Sequence, residues 1–202
     1  MMLQGAVGPQ TLTDSSNPAN ARLGRNGDLI VSELHGKLYE STSRSNRFGF
    51  NGVATTTTAA GNATFTGTLI GNPAGSGYNL ALGKVFISQV AALTAGTAIG
   101  IMYGPSTASI TASLTTIFNR KAGGAASAMV ATAGQTITAP TAFVVMGGSG
   151  SGAITVPGII PAVGYDFEGG LVIPPGYFVA SYTSVASTTA LIWQFAWEEV
   201  PV

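Results

Sequence analysis

The chain has 202 residues, with eight basic and eight acidic side chains and no cysteine. Because the net charge is zero, no global field draws the chain to nucleic acid or to an acidic membrane, and neither is expected as a partner. The absence of cysteine excludes disulfides and thiolate metal sites. Only 8% of the residues are charged, against roughly 25% in an ordinary soluble domain. So little charge is typical of a protein whose faces are covered by neighbouring subunits.

The charges are concentrated near the N-terminus. Residues 1–50 hold nine of the sixteen, and the remaining 152 residues hold seven. This change in composition is the clearest boundary signal in the chain. We therefore predict three parts: an extended N-terminal arm at residues 1–27, a hairpin or connector at residues 28–50, and a β-rich body at residues 51–202.

The predicted arm is polar, contains two prolines and has neither helical nor strand periodicity. Such a segment buries too little apolar area to offset its ordering entropy, so we expect it to become ordered on a partner. Fully extended, it would reach on the order of 80–90 Å. Its first ten residues lack a basic start followed by an apolar run, so no signal peptide is expected.

The connector is predicted to contain a β-hairpin. Its two short runs, Leu29–Val31 and Lys37–Tyr39, flank His35 and Gly36, and this pair is suited to a tight two-residue turn. His35 is the only histidine of the chain, and its place in a turn does not indicate a catalytic role.

The body consists of short segments that alternate apolar and polar residues, separated by clusters of glycine, proline and serine. This period of two predicts β-strands rather than helices. The predicted strands include Ala63–Leu69, Ile110–Thr115 and Leu191–Glu198. The predicted turns and loops are Asn72–Gly77, Gly147–Gly152 and Pro174–Gly176.

The uncharged segment Val85–Gly104 is long enough to be considered as a membrane span. Polar residues interrupt it and no basic residue flanks its C-terminal side, so it does not resemble a transmembrane helix. We interpret it as two strands around a turn at Leu93–Thr97.

The last predicted strand carries bulky side chains at every second position. These are Leu191, Trp193, Phe195 and Trp197. One face of this strand should close a side of the core, whereas Glu198 and Glu199 would follow it as solvated gatekeeper charges. About eight to ten such strands predict an all-β fold, an antiparallel β-sandwich or jelly roll with an extended N-terminal arm.

The sequence contains no pattern that indicates catalysis or cofactor binding. No Gly-x-Ser-x-Gly motif leads a strand into a helix, so we expect a protein that is not an enzyme and binds no cofactor. The close carboxylates Asp166 and Glu168 are interpreted as a solvated loop. The alternative for this pair is a calcium site at a subunit axis.

The basic residues of the N-terminal quarter are interleaved with acidic ones, which weakens a nucleic-acid interpretation. The planar guanidinium group of arginine binds carboxylates and carbonyl oxygens well, so arginine suits a protein interface. The candidate partner-interface residues are Arg22, Arg25, Arg44 and Arg47.

Two C-terminal segments carry a resemblance to a known family. The run Gly170–Tyr177, Gly-Leu-Val-Ile-Pro-Pro-Gly-Tyr, and the closing Trp197–Pro201 resemble the end of jelly-roll structural proteins of tailed bacteriophages, including capsid decoration (cement) proteins. The resemblance implies a trimer on the exterior of the virion capsid. It also implies that the arm grips the major capsid protein.

A second hypothesis is a receptor- or glycan-binding tip domain of a phage tail or adhesin, with Tyr165, Tyr177 and Tyr182 as candidate contacts. Under either hypothesis the scarcity of charge predicts a homo-oligomer. We expect its interface to be rich in alanine, threonine, valine and isoleucine and to be drawn from residues 51–165.

Overall fold

The computed structural model describes most of the predicted body. The described residues are 37–53, 56, 65–91, 93, 95–106, 110, 117–137, 142–149, 162–187 and 191–202. The chain divides into two compact units, Met1–Glu40 and Ser41–Val202. The predicted arm at residues 1–27 and the first run of the predicted hairpin lie outside the described residues.

The described residues form one short helix and ten strands. The elements are α1 (Tyr39–Ser43), β1 (Arg47–Val53), β2 (Phe65–Gly71), β3 (Tyr78–Gln89), β4 (Thr97–Pro105), β5 (Phe118–Asn119), β6 (Val130–Ile137), β7 (Ala142–Ser149), β8 (Ala162–Ile173), β9 (Tyr177–Thr183) and β10 (Leu191–Pro201). The prediction of an all-β fold is confirmed.

The strands form two antiparallel sheets of five strands each. Sheet A has the order β5-β1-β10-β3-β8, and sheet B has the order β6-β2-β9-β4-β7. Strand β1 pairs with β10, β2 with β9, β3 with β8 and β4 with β7. Successive pairs of this antiparallel ribbon alternate between the two sheets, which is the topology of a jelly roll. The inserted strands β5 and β6 extend the two sheets beside β1 and β2.

The main core lies between the sheets, and the last strand contributes its largest side chains, as predicted. Trp193, Phe195 and Trp197 are at most 1% exposed. The Trp197 ring stacks on Phe48 at 6.1 Å between centroids, and the Phe195 ring stacks on Phe50 at 6.3 Å. The extra residue where the β3–β10 register shifts lies in β3, so the alternation of β10 continues unbroken.

Two predicted turns are confirmed, and one side chain connects them. The Asn72 amide donates to the carbonyl oxygens of Tyr78 at 2.8 Å and Ile173 at 2.9 Å. The first bond closes the turn Asn72–Gly77 onto β3. The second ties it to the end of β8, where the turn at Pro174–Gly176 begins.

Val85–Gly104 contains the end of β3 and most of β4, so the prediction of two strands is confirmed, whereas the predicted turn at Leu93–Thr97 lies partly outside the described residues. Among the described residues, none of the helices is long and apolar enough to cross a bilayer.

Several local predictions were wrong. Lys37 and Leu38 lie in a turn and Tyr39 begins α1, so Lys37–Tyr39 is not a strand. Residues 147–149 of the predicted glycine-serine loop belong to β7, because they pair with Thr97–Ile99 of β4. Of the predicted strand Ile110–Thr115 only Ile110 is described, and it lies outside any strand. Strand β1 begins at Arg47, before the predicted start of the body at residue 51.

The outward face of sheet B is buried along strands β2, β4 and β9, whereas Val145 of β7 is exposed. The side chains of its strands that alternate away from the main core form a second apolar cluster, with Ile110 packed against it. Its buried members are Phe65, Leu69, Met102, Phe178, Ala180 and Tyr182, all at most 7% exposed. Within the described residues, the outward side chains of β2, β4 and β9 are therefore buried inside the chain.

Candidate protein interface

The outward face of sheet A carries most of the charge of the sandwich. Phe48 and Phe50 of β1 point into the core, so the alternate residue Arg47 and its cross-strand partner Glu198 point outward. Lys84 of β3 and Asp166 of β8 lie opposite each other on the same face. The strands of sheet B, in contrast, contain no charged residue.

Two exposed aromatic rings lie on this face, each above a glycine of the neighbouring strand. A Cβ atom built on Gly164 would be 2.8 Å from the ring of Phe86, and one built on Gly49 would be 2.6 Å from the ring of Phe118. The two phenylalanines remain 44% and 37% exposed, respectively. Because glycine has no side chain, each ring can rest close to the backbone and present its other side to solvent.

Arg47 is held within this face rather than extended from it. Its side chain is only 8% exposed, and its Nη2 atom would be 3.3 Å from a Cβ atom built on Gly83 of β3. Burial lowers the pKa of the Arg47 guanidinium and nearby Arg120 adds to this effect, whereas Glu198 and Asp166 oppose it. The guanidinium stays charged, since no protein environment deprotonates arginine readily.

The β8 side of the face carries an ion pair and an irregular backbone. Lys84 Nζ lies 3.0 Å from Asp166 Oδ2, with both side chains 42% exposed, so the pair adds little stability. The backbone N–H of Glu168 donates to Asp166 Oδ1 at 3.0 Å. Glu168 has φ of 50° and Gly169 has φ of 81°, where β8 contains extra residues relative to β3. Edge strands interrupted in this way resist pairing with foreign strands.

The predicted pair Asp166 and Glu168 does not share a regular strand face, because this irregularity separates the two residues. Among the described residues, no group of three or more histidine or carboxylate side chains could hold a metal ion. The Asp166 carboxylate instead contacts Lys84 and the Glu168 backbone.

The structure describes two of the four predicted interface arginines. Arg22 and Arg25 lie outside the described residues. Arg44 is exposed in the turn that follows α1, and Lys121 Nζ donates to the neighbouring carbonyl of Ser43 at 2.8 Å. Arg47 belongs to the sheet. The interface role of Arg44 and Arg47 stays a prediction, and the exposed rings of Phe86 and Phe118 were not among the predicted residues.

The three tyrosines considered for a receptor or glycan site are not gathered into one groove. Tyr165 lies on β8 of sheet A, with its ring 4.6 Å from that of Phe167. Tyr177 and Tyr182 lie on β9 of sheet B, and Tyr182 is buried in the second apolar cluster.

The outward face of sheet A is thus a broad, exposed surface with aromatic rings, small residues and charges of both signs. Comparisons with protein families, curated proteins and solved structures find no match to this chain.

Proposed function

We propose that the chain is a structural virion protein that binds the outside of a bacteriophage capsid and stabilises the shell by bridging capsid subunits. The outward face of sheet A carries this proposal. Protein interfaces are enriched in aromatic residues and arginine and include polar groups. This face combines Phe86 and Phe118 with Arg120, whose guanidinium carbon lies 5.4 Å from the centroid of Phe118.

The topology of the strands is a second observation that supports the proposal. The paired ribbon of the sandwich is a jelly roll, an architecture found in viral capsid and lectin domains. The segments that resemble phage structural proteins, Gly170–Tyr177 and Trp197–Pro201, form the end of β8, the following turn, the start of β9 and the last residues of β10. Fold alone does not specify function, so the proposal depends on the exposed face and these segments together.

The proposed mechanism is thermodynamic linkage. A subunit that binds only the assembled shell lowers the free energy of that state and shifts the equilibrium against disassembly. Each bound copy buries area across the boundary between capsid subunits. The arm, with Arg22 and Arg25, would add a second contact on a neighbouring subunit, as in multivalent binding.

Immunogold labelling tests the proposal. An antibody raised against the purified chain is applied to intact particles of the phage whose genome encodes it. We expect gold on the capsid exterior, and we expect particles lacking the chain to release DNA at a lower temperature. Gold confined to the tail tip would favour the receptor-binding alternative, and unlabelled particles would exclude a virion role.

A further inference from the structure

The two faces of the sandwich differ in what they offer to another molecule. The segment 51–165, predicted to form an uncharged oligomer interface, supplies four of the five strands of sheet B. The outward side chains of that sheet, such as Leu69 and Met102, are already buried within the chain. The lack of charge in these strands therefore agrees with intramolecular packing, and among the described residues the exposed charges and aromatic rings lie on sheet A.

The charges of sheet A are distributed unequally between its two edges. The β5 edge is basic, with Arg120 and Lys121 directly after the strand. The β8 edge carries Asp166, which is paired with Lys84 of β3 at 3.0 Å, and Glu168 in the irregular segment beyond it. The central strand β10 presents Gln194, which is exposed, and Glu198, which partly opposes the lowering of the Arg47 pKa by burial.

This distribution makes the face complementary to itself in one orientation. A twofold axis that runs parallel to the strands, along β10, places the β5 edge of one copy over the β8 edge of the other. Arg120 of each copy then faces Asp166 of the other copy, so the contact occurs twice, once on each side of the axis. Glu198 lies near the axis in both copies, and Arg47 offsets its charge within each. A twofold axis perpendicular to the strands would instead place like charges together.

We propose that the outward face of sheet A packs against the same face of a second copy of this chain, related by a twofold axis parallel to the strands. Under this axis the two residues of β5 and the seven of β1 limit the overlap of the two faces, which at about 3.3 Å per residue and about 4.8 Å between strands is roughly 450 Å² per copy. The buried total of roughly 900 Å² is below the range of stable specific interfaces and is typical of a weak, transient dimer. Phe86 and Phe118 supply the aromatic anchors. The result is a dimer of the free chain rather than the trimer that the family resemblance implies. The dimer contact shares this face with the proposed function, so binding to the capsid requires the dimer to dissociate.

Sedimentation equilibrium of the full chain tests the charge complementarity. We expect a dimer whose dissociation constant rises about tenfold or more in Arg120→Glu and in Asp166→Arg. The double variant Arg120→Glu/Asp166→Arg restores opposite charges at both contacts and should return to within about threefold of the wild type. A double variant as weak as the single ones would overturn the orientation.

A matched pair of variants tests the apolar part of the face. Phe86→Glu should raise the dissociation constant about a hundredfold. Val145→Glu, on β7 of sheet B, changes an equally exposed apolar side chain, 52% exposed, and should leave the dimer intact. Equal effects of the two variants, or a wild-type chain that sediments as a monomer or trimer, would contradict the proposal.

The lack of cysteine provides a test that does not depend on destabilising variants. Facing sheets lie about 10 Å apart, too far for a disulfide, so a short bismaleimide is the suitable cross-linker. Gln194→Cys should give cross-linked dimers in high yield, whereas Val145→Cys should not; the reverse result would place the contact elsewhere. A wild-type chain that is a monomer in solution and decorates capsids would overturn this inference alone, and a chain that dimerises but binds no capsid would overturn only the proposed function.

Discussion

The indole N–H of Trp197 donates a hydrogen bond to Oε1 of Glu199, two residues further along β10, at 3.3 Å. The same carboxylate accepts a hydrogen bond from the hydroxyl of Ser127 and one from the backbone N–H of Ala128, the latter at 3.1 Å. Glu199 is buried. It therefore fastens the connection between β5 and β6 to the end of the main core.

Replacing this carboxylate should destabilise the fold. Glu199→Ala leaves buried donors on Trp197 and Ala128 without an acceptor, so we expect the free energy of unfolding to fall by about 2–4 kcal/mol. Urea denaturation followed by tryptophan fluorescence measures the change. The control Glu168→Gln removes an exposed carboxylate and should stay within about 0.5 kcal/mol of the wild type. A loss below about 1 kcal/mol for Glu199→Ala would show that water replaces the carboxylate.

A comparison of the two tryptophans of β10 separates the contribution of a hydrogen bond to stability from the contribution of packing. Both are fully buried, but among the described residues the Trp193 indole nitrogen has no hydrogen-bond partner. Trp193→Phe and Trp197→Phe remove similar volumes, so we expect Trp197→Phe to cost about 1–2 kcal/mol more, the value of a hydrogen bond to a charged group. Trp193→Ala should cost about 3–5 kcal/mol. Equal costs for the two phenylalanine variants would mean that Trp193 has a partner, such as a buried water.

The sequence predicts β10 well because its alternation has no interruption and its side chains are large. Strand β3 shows the opposite case. Leu80 and Leu82 point into the core, and so do Val85 and Ile87, because Gly83 is the extra residue where the register shifts. The shift reverses the parity of the strand, so the outward position of Phe86 cannot be read from a simple alternation.

Long-range partners explain the remaining differences. The glycines at the end of β7 have the composition of a loop, yet they become strand because β4 supplies the hydrogen bonds. Glu199 is typical of a solvated terminal charge, but its partners Ser127 and Ala128 are about seventy residues away in the chain. Such contacts leave no local signal, so neither the buried carboxylate nor the covered face of sheet B could be predicted from pattern alone.

Two glycines that face different neighbours should respond differently to substitution. A Cβ atom on Gly100 of β4 would collide with the backbone carbonyl of Val144, so Gly100→Ala should cost about 2–3 kcal/mol through forced backbone movement. A Cβ atom on Gly164 would meet only the ring of Phe86. Because that ring is partly exposed and can rotate away, Gly164→Ala should cost less than about 1 kcal/mol. Thermal unfolding of both variants measures the difference, and a larger cost for Gly164→Ala would contradict the position of the ring.

The last prediction concerns the N-terminal arm. Deletion of residues 1–27 should leave a folded sandwich, because its first strand begins at Arg47 and the deleted segment is too polar to belong to a core. The deletion variant should keep the unfolding temperature of the full chain within about 2–4 °C, but it should dissociate from capsids on dilution because one of two linked contacts is lost.

A full-length variant without the two arginines tests the effect of the arm's charge separately from the effect of its presence. Arg22→Ala/Arg25→Ala keeps the full length and should weaken retention on capsids, measured by co-sedimentation at increasing salt, without changing the unfolding temperature. If the deletion variant is unfolded, the segment belongs to the body. If it is folded and remains on the capsid as firmly as the full chain, the sandwich alone holds the shell and the arm has no clamping role.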